Sequence, residues 1–487
     1  MNRLRSIAPR LATRRFVGDG RRLLWSAASS ANTSLVSAAL ECAERIRNSV
    51  ARTRRNTQNP TQPSCLTAKD SCFVLVSQSY PSADIDKVVG ILRQQLESVS
   101  NNISFSGTVV DHVILGGAKL PLTGNGLSVV YNGSGDPDVS QLEAHPFYIG
   151  DIHGRQRLRE VAVGRWHNKV TDRFKDHHSK SAQWISGHSS VTQAPSHMVL
   201  PPELVRDVKS PSLVDFILFA ADKESRQALD LLDKRFPRAA KLGIVGSQTP
   251  FVNGREYTLF ADSRTYESGM VGFAFAKRGQ QSKAAVGEPM ISHDKLVPIS
   301  DALRIVRCKG NVILELENGD AAHSLIASVR RKRAEMLDSS GEDNRLFAKI
   351  TSEDSSSASK PLHPVVFQVT GGDPAKGGLA LDTLRDLSNG QHVQFMTMAA
   401  IPASSGSSNL HGISLQFGAA DFCGGSSLPL KICAKGTPAA VLFGGVTEGG
   451  FVYSRRLASS GQNSESSVLS GCVECSVPGS TVTLALK

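Results

Sequence analysis

Two apolar runs that lie far apart in the chain constrain the fold more than any other feature of the sequence. The first, CFVLVSQSY, occupies residues 72–80, and the second, DFILFAADK, occupies residues 215–223. Each contains a continuous apolar stretch, CFVLV in the first and FILFAA in the second, which does not alternate with polar residues. Such stretches are typical of strands buried on both faces of a sheet. A fold that contains two such strands needs helices or further sheets on each side of them.

A helical pattern follows each run and completes a repeated unit. The segment PSADIDKVVGILRQQLESVS has apolar residues at helical spacing, and the strand-like segments ISFSGTVVDHVI and GLSVVYN come next. The second run is followed in the same way by the helical ESRQALDLLDKRF and by the strands KLGIVGSQTP and SGMVGFAFAK. The order strand, helix, strand, loop, strand therefore occurs twice. It predicts an α/β fold in which duplicated strand-helix-strand units form mixed sheets.

The two copies can be aligned over short stretches. The aligned positions are Phe73–Ser77 with Phe216–Ala220, Gly107 with Gly246, and Gly126 with Gly269. Glycines that match in both copies indicate that the same turns recur. The alignment supports an internal duplication.

The net charge of +11 is concentrated at the start of the chain. Residues 1–56 contain twelve arginines, no lysine and three acids. On a helical wheel Leu4, Ile7 and Leu11 share one face, flanked by arginines, and no acid precedes Asp19. This pattern predicts a mitochondrial transit peptide over residues 1–35 and a protein of the matrix. The alternative is a basic arm that binds nucleic acid, but the remainder of the chain has no basic stripe, so no nucleic-acid partner is expected.

The apolar runs and the cysteines argue against a membrane-spanning protein and against a disulfide-rich secreted protein. No apolar run reaches the roughly 18 to 20 residues that a bilayer span needs, so no membrane span is expected. The eight cysteines are spread thinly, which fits a reducing compartment better than a disulfide framework. The C-x-x-C pair Cys472 and Cys475 has no second pair nearby, so neither a metal nor a cofactor is predicted there.

A histidine-rich stretch, residues 133–210, separates the two copies and is predicted to be an irregular insertion. It contains YIGDIHGR, residues 148–155, in which Asp151 and His153 have the spacing of metal ligands in a dinuclear phosphoesterase. The further motifs of such a site, G-D-x-x-D-R-G and G-N-H, do not follow. A metal-dependent hydrolase that uses Asp151 and His153 is therefore the least favoured hypothesis, and no metal ligand is predicted.

Glycine-rich turns follow two strands, at residues 243–250 and 369–378. Turns of this kind can offer backbone N–H groups to a ligand, but neither matches a dinucleotide or P-loop fingerprint. No serine lies in a G-x-S-x-G elbow either. The sequence predicts no catalytic residue, and the protein is not expected to be an enzyme.

The second half of the chain has a different pattern. Residues 304–336 read as a hairpin that turns at Lys309-Gly310-Asn311 and continues into a helix. A serine-rich polar segment, residues 338–361, is predicted to be a linker. Short apolar runs alternate with turns over residues 362–487.

Several of these segments resemble the FIST family. The segment GNVILELENGDAAHSLIASV, residues 310–329, is similar to the strand that enters an E-L-[DE]-G turn and leads into a helix in FIST domains. KLGIVGSQT resembles the family's G-x-x-G-[CS]-[ST] turn, and SGMVGFAFA resembles the strand that closes its N-terminal half. NGQHVQFMTM and AAVLFGGV are similar to elements of the C-terminal half. The resemblance covers residues 35–487.

The resemblance implies a two-part architecture, with a FIST N-like region over residues 36–337 and a FIST C-like region over residues 362–487. It further implies a non-enzymatic sensory module that binds a small-molecule ligand such as an amino acid. The ligand-binding residues that it points to are Gly246, Ser247, Gly471 and Cys472. No cofactor is implied, and no oligomeric state is predicted.

The sequence departs from the family pattern in two places. The last turn reads VECS where the family usually has Gly-Glu, and no F-box precedes the domain. The chain would thus be a fungal-type, mitochondrial member without an F-box. The alternative function is an adaptor that binds a protein partner, related to the F-box proteins of ubiquitin ligases.

Overall fold

Three sheets with the same strand topology surround a common core. A fourth sheet is formed by residues inserted in the chain segment that builds the third. The computed structural model describes residues 25–56, 69–115, 125–133, 142–150, 200–208, 210–224, 226–278, 286–335, 345–351, 364–383, 386–398, 413–420, 441–455 and 472–486. Its helices and sheets confirm the predicted α/β fold class.

The first unit contains the first of the two apolar runs. Its elements are β1 (Trp25–Ser30), α1 (Leu35–Asn56), β2 (Asp70–Ser77), α2 (Ser82–Ile85), α3 (Val88–Leu96), β3 (Ile103–Val110), β4 (His112–Val113) and β5 (Leu127–Asn132). Strand β2 is buried at all eight positions, as its continuous apolar sequence predicts. Helix α1 was not anticipated by the sequence analysis, although its buried residues recur at helical spacing. Those residues are Leu35, Ala38, Ala39, Cys42, Ala43, Ile46 and Val50.

The second unit contains the second apolar run. Its elements are β6 (Leu142–Ile149), α4 (Pro202–Asp207), β7 (Val214–Ala221), α5 (Arg226–Arg235), β8 (Ala240–Val245), α6 (Pro250–Asn253), β9 (Leu259–Ala261), β10 (Arg264–Tyr266) and β11 (Met270–Lys277). A 3-10 turn, Pro211–Leu213, precedes β7. Strand β6 and helix α4 lie within the stretch 133–210, so the prediction of an irregular insertion is wrong for these residues. The alternating burial of β6 comes from its position at the edge of a sheet, paired with β11 alone.

The third unit is split by an inserted sheet. It begins with β12 (Met290–Ser292) and resumes with β20 (Ile413–Ala419), β21 (Val441–Thr447), β22 (Phe451–Ser454), β23 (Val473–Cys475) and β24 (Thr481–Leu486). The inserted elements are β13 (Leu296–Lys309), β14 (Val312–Leu316), β15 (Gly319–Asp320), α7 (Ala321–Glu335), β16 (Leu346–Thr351), β17 (Val365–Asp373), β18 (Gly378–Leu381) and β19 (His392–Met398).

Strand pairing is the same in all three units. Two parallel strands lie side by side: β2 with β3, β7 with β8, and β20 with β21. The last strand of each unit, β5, β11 or β24, pairs antiparallel with the first of the two, and the opening strand, β1, β6 or β12, pairs with that last strand. The predicted duplication is confirmed for the first two units, and the third unit extends it to a triplication.

Each unit also gives one strand to another unit's sheet. Strand β4 pairs with β21 of the third unit, β9 pairs with β3 of the first, and β22 pairs with β8 of the second. The exchange is cyclic, and each exchanged strand supplies hydrogen-bond partners to an edge that would otherwise be open. The three units therefore depend on one another for complete sheets.

All three sheets turn one face towards the same apolar core. The residues that they contribute include Leu75, Val110, Val130, Leu218, Leu242, Phe273, Leu415, Phe417 and Phe443. Helices α1, α2 and α3 cover the outer face of the first sheet, and α4 and α5 cover that of the second. Burial on both faces explains why the strands read as continuous apolar runs.

The inserted sheet closes on itself, because β13, at one end of the strand order, pairs with its neighbour β19 and also with β14 near the other end. It has its own core, in which the hairpin and α7 take part as the sequence predicted. Gly310 has a positive φ at the hairpin turn. Strand β16 lies inside the predicted linker 338–361, so the proposed division of the chain at this linker does not follow the sheets.

The registers of the paired strands show which residues of the three units occupy equivalent positions. Gly107 lies opposite Val74, Gly243 lies opposite Phe219, and Gly444 lies opposite Gln416 in the three parallel pairs. The glycine equivalent to Gly107 is thus Gly243, and its alignment with Gly246 is wrong. Gly126 and Gly269 directly precede β5 and β11, which confirms their match.

The alignment of the two apolar runs is also shifted. Leu127 and Met270, which begin equivalent strands, lie opposite Val76 and Ala221. The match to Phe73 is therefore Leu218, two residues beyond the Phe216 of the sequence alignment. A shift of two residues keeps every side chain on the same face of its strand, so apolar patterning cannot detect it.

The expected transit peptide overlaps the first sheet. All six residues of β1 pair with β5, from Trp25 opposite Asn132 to Ser30 opposite Leu127. A segment that ended at residue 35 would contain this edge strand. The transit peptide predicted over residues 1–35 would thus include β1; it stays a prediction, and its residues 1–24 lie outside the described residues.

Candidate functional site

Three polar residues follow the second parallel strand of the three units at equivalent positions. Asp111, Ser247 and Glu448 each lie four residues beyond one of the equivalent glycines, Gly107, Gly243 and Gly444. The carboxyl ends of β3, β8 and β21 face the same end of the core. We call these three residues the axial cluster.

Hydrogen bonds join the axial cluster across the three units. The Glu448 backbone N–H donates to Asp111 Oδ2 at 2.8 Å, and the Gln248 backbone N–H donates to Glu448 Oε1 at 3.2 Å. The Ser247 backbone N–H donates to the Val109 carbonyl oxygen at 2.9 Å. Every unit is thus bonded to the other two within a few residues of its strand end.

Asp111 is the most buried carboxylate of the cluster, with 4% of its surface exposed. Gln78 Nε2 donates to its Oδ1 at 2.9 Å, and Ser77 Oγ donates to its backbone carbonyl at 3.1 Å. Burial raises the pKa of Asp111 to about 6, and the negative charge of Glu448 adds to the rise. The Ser247 hydroxyl and the Glu448 N–H act against it by favouring the charged form.

Within the described residues, no lysine or arginine pairs with Asp111 or Glu448. Two other shielded carboxylates, those of Asp233 and Asp215, each have a lysine beside them. Lys241 Nζ lies 2.8 Å from Asp233, and Lys277 Nζ lies 3.0 Å from Asp215. Among the described residues, no lysine or arginine therefore offsets the two carboxyl groups of the axial cluster.

Small residues allow the strand ends to approach one another. A Cβ on Gly445 would lie 3.0 to 3.4 Å from side chains of Leu75, Val110 and Ile244, which belong to the first and second units. A Cβ on Gly246 would lie 2.5 Å from Thr108 Oγ1. Gly246, one of the four residues suggested by the FIST resemblance, is thus required for the close packing of β8 against β3.

Ser247 belongs to the axial cluster and is completely buried. Its hydroxyl lies beside Asp111 and favours the charged form of that carboxyl through a hydrogen bond that departs from standard geometry. The weakness of this contact leaves the buried oxygen able to accept a further hydrogen bond. This makes Ser247 a candidate to contact a ligand.

Cys472 lies at the opposite end of the second sheet from Ser247. Strand β22 places Ser454 opposite Lys241, and β23 places Val473 opposite Tyr453, so Cys472 is level with the first residues of β8. Six residues of extended strand, about 20 Å, separate Lys241 from Ser247. Cys472 and Ser247 therefore do not lie together, because the pairing of β22 with β8 and β23 places Cys472 at the other end of the sheet. Gly471 lies outside the described residues.

Cys472 directly precedes β23 and Cys475 is its last residue, and both are free thiols. Cys472 packs against the outer core beneath α5, whereas Cys475 faces the central core. Residues three apart in a strand point to opposite faces, so this C-x-x-C pair cannot share a metal ion. Arg226 Nη1 instead donates to Cys472 Sγ at 3.4 Å and to Glu474 Oε1 at 2.5 Å.

A second polar contact lies in the third unit. His293 Nδ1 and Ser480 Oγ are 2.7 Å apart. Burial lowers the pKa of His293 to about 4, and the charge of Lys349 adds to the effect. Ser480 directly precedes β24, as Gly126 and Gly269 precede β5 and β11, and it is completely buried. This contact is enclosed between β12, β24 and the inserted sheet.

No group of three potential His, Cys, Asp or Glu metal ligands occurs among the described residues. Asp151 and His153 lie outside them. Of the described helices, none is both long and apolar enough to cross a bilayer.

Sequence reasoning missed Asp111 and Glu448. Each directly follows a strand, in the segments VVD and VTE, and ligands of α/β proteins are bound outside the carboxyl ends of parallel strands. The sequence carried this signal for Asp111, because both parallel strands of its unit, β2 and β3, were predicted. It was not available for Glu448, whose unit was not recognised as a third copy.

Comparison with known proteins gives no matching family model and no matching curated protein.

Proposed function

We propose that this protein binds a small molecule at the axial cluster and acts as a non-enzymatic sensory module of the FIST type. The observation that carries the proposal is the convergence of equivalent residues from three units on one point, where Asp111 is a buried carboxyl with a raised pKa. Buried ionisable groups with perturbed pKa values are concentrated at functional sites.

Two further features support a ligand at this place. The cluster lies at the carboxyl ends of parallel strands, where α/β proteins bind their ligands. Gly246 and Ser247, which the FIST resemblance suggests, lie in the turn that contributes to the cluster. Because all three units meet here, a ligand at the cluster would alter the contacts of every sheet at once, as a sensor requires.

The proposal is tested by a thermal-shift screen of metabolites against the full chain. A ligand of the axial cluster is expected to raise the Tm of the wild type, and to do so far less in Ser247→Ala and Glu448→Gln. The matched control is Ser414→Ala, which removes a fully buried hydroxyl from the amino end of β20. A stabilising metabolite that is equally effective in both cluster variants would refute the axial cluster as its site.

We also propose that the protein is mitochondrial, on the basis of the arginine-rich segment before β1. Residues 1–24 contain seven arginines and one acid. When fused to a fluorescent protein, this segment is expected to direct it to mitochondria. The control is the same fusion with the seven arginines replaced by glutamine, and equal distribution of the two fusions would contradict the proposal.

A further inference from the structure

Two polar side chains lie next to each other at the end of the core that is opposite to the axial cluster. Trp25, the first residue of β1, pairs with Asn132, the last residue of β5. Asn132 also lies opposite Ser71 of β2, whereas Ser77 of β2 lies opposite the end of β3, where the axial cluster begins. Six residues of strand, about 20 Å, therefore separate the Trp25–Asn132 pair from the axial cluster.

Both side chains of the pair point towards the central core. Val130 belongs to that core and Ala27 packs against it, and side chains two residues apart in a strand share a face. Residues that lie directly opposite each other on one face have Cβ atoms about 4.5 to 5.5 Å apart. The indole of Trp25 and the carboxamide of Asn132 are therefore neighbours.

The carboxamide of Asn132 is completely buried, yet neither its Nδ2 nor its Oδ1 has a hydrogen-bond partner within the described part of the chain. The Nε1–H of Trp25 is also buried and has no partner there. An amide that is buried with both ends unsatisfied costs free energy, and native proteins rarely retain one. The pair can thus offer N–H donors and a carbonyl acceptor to a molecule that binds beside it.

Aromatic rings of the second unit adjoin the pair. The ring centroids of Trp25 and Phe275 are 5.0 Å apart, and Phe275 stacks on Phe216 at 5.7 Å. Trp25 is only partly buried, so the pair lies where the core meets the surface. Ligand sites typically combine aromatic surface with a few convergent polar groups. A water molecule could bond to the amide but would gain nothing from the rings, whereas a planar ligand could use both.

We propose that the Trp25–Asn132 pair binds a planar nitrogen heterocycle of the nucleobase type, which presents an N–H donor beside an acceptor. The carboxamide of asparagine matches such an edge with two hydrogen bonds, as it does when asparagine reads adenine. The Nε1–H of Trp25 donates to a further acceptor of the heterocycle, and Phe275 provides apolar surface for the ring. This inference goes beyond the proposed function, because it concerns a second site that shares no residue with the axial cluster.

The test uses the full chain with Trp166→Phe and Trp184→Phe, which leaves Trp25 as its only tryptophan. The emission of Trp25 is titrated at pH 7.5 with adenine and with dimethyladenine, in which methyl groups replace both exocyclic N–H hydrogens. We expect adenine to change the emission saturably. It should bind about tenfold more tightly than dimethyladenine, which cannot donate a hydrogen bond to Asn132 Oδ1.

Asn132→Leu tests the carboxamide directly. Leucine has a similar shape without polar atoms, so the variant should keep the wild-type Tm or exceed it, and its affinity for adenine should be about tenfold lower. The matched control is Ser414→Ala, which removes another fully buried hydroxyl that lacks a partner among the described residues. Ser414 faces away from the central core, because its neighbour Leu415 faces towards it, so this variant should bind adenine as the parent does.

The absence of a saturable change with adenine would overturn the proposal. Equal affinities for adenine and dimethyladenine would do so as well, and this comparison needs no substitution at the site. Unchanged adenine affinity in a folded Asn132→Leu variant would also exclude the pair as the binding site. Ser247→Ala should leave adenine binding intact, which separates this site from the axial cluster.

Discussion

Asp111 accepts a hydrogen bond from the backbone N–H of Glu448 at 2.8 Å, which joins residues 337 positions apart in the chain. The two residues occupy equivalent places in the first and third units. Their contact fixes the ends of β3 and β21 relative to each other. The same bond thus contributes to the fold and favours the charged form of Asp111 at the candidate site.

The first prediction concerns Asp111 and pH. Its folded-state pKa, about 6, is above the ordinary value of 3.8, so its contribution to stability is fully present below pH 3.8 and is lost as the pH rises through 6. Asp111→Asn removes this titration. At pH 7.5 the variant should be more stable than the wild type by about 1 to 3 kcal/mol, and at pH 4 the difference should largely disappear.

Urea unfolding at the two pH values measures this difference. Asp86→Asn is the control, since Asp86 is an exposed carboxylate that pairs with Arg255 at 2.7 Å. The prediction would be contradicted if the Asp111→Asn variant were less stable than the wild type by the same amount at both pH values. The Asp111 carboxylate would then be a net stabilising group.

A second prediction concerns the buried ion pair at the other end of the second sheet. Lys241 is fully buried, and its Nζ lies 2.8 Å from Asp233 and 2.7 Å from the Phe236 carbonyl oxygen. Lys241→Met leaves the Asp233 charge buried without its cation, so the free energy of unfolding should fall by about 3 to 5 kcal/mol. The double variant Lys241→Met with Asp233→Leu should regain part of the loss. Chemical denaturation of both proteins tests this, and a loss below about 1 kcal/mol in the single variant would contradict it.

A third prediction concerns the equivalent glycines. A Cβ on Gly107 would overlap the Val74 carbonyl oxygen, and one on Gly444 would overlap the Gln416 carbonyl oxygen. Gly107→Ala and Gly444→Ala should therefore each destabilise the protein by more than about 2 kcal/mol, since backbone has to move in both cases.

The matched control for the glycine variants is Gly90→Ala. Gly90 lies within α3, and a Cβ there would have nothing within 4 Å. Because alanine is the better helix former, this variant should gain up to about 1 kcal/mol. Thermal unfolding compares all three variants, and similar Tm values for Gly90→Ala and Gly107→Ala would disprove the close-packing explanation.

A fourth prediction concerns the amino terminus. Strand β1 pairs along its whole length with β5, and the Trp25 ring lies 5.0 Å from that of Phe275. A protein that lacks residues 1–24 keeps these contacts and should unfold at the wild-type temperature. A protein that lacks residues 1–35 loses an edge strand, and its Tm should fall by about 5 °C or more. Calorimetry of both truncated chains measures their Tm values. Equal values would mean that β1 contributes nothing to stability.

Much of the local structure could be predicted from the sequence. Strands β2, β7, β8 and β11, helix α5 and the hairpin of β13 and β14 were all expected from periodicity and turn residues. Gly246 and Ser247 were expected to bind a ligand; Ser247 lies in the axial cluster and Gly246 directly precedes it, and their role in binding stays a prediction. Each of these features depends on residues that are close together in the chain, where spacing and residue type are informative.

The third unit was not predicted, for a physical reason. Its opening strand β12 and its first parallel strand β20 are separated by the whole inserted sheet, so no order of elements in the sequence repeats that of the first two units. Strand β20 is only partly buried at Ile413 and Gln416, whereas β2 is buried throughout, and its polar Ser414 and Gln416 weaken the apolar signature. Only the pairing of β20 with β21 and β24 reveals the equivalence.

The sequence by itself determined the α/β class, the duplication and the identity of most strands, because burial on both faces requires continuous apolar residues. The tertiary structure alone decided which residues meet. Strand registers distinguish Gly243 from Gly246, the exchange of β4, β9 and β22 links the units, and antiparallel pairing separates Cys472 from Ser247. These relations depend on hydrogen bonds between distant segments, and side-chain patterning does not change when a strand slides by two residues.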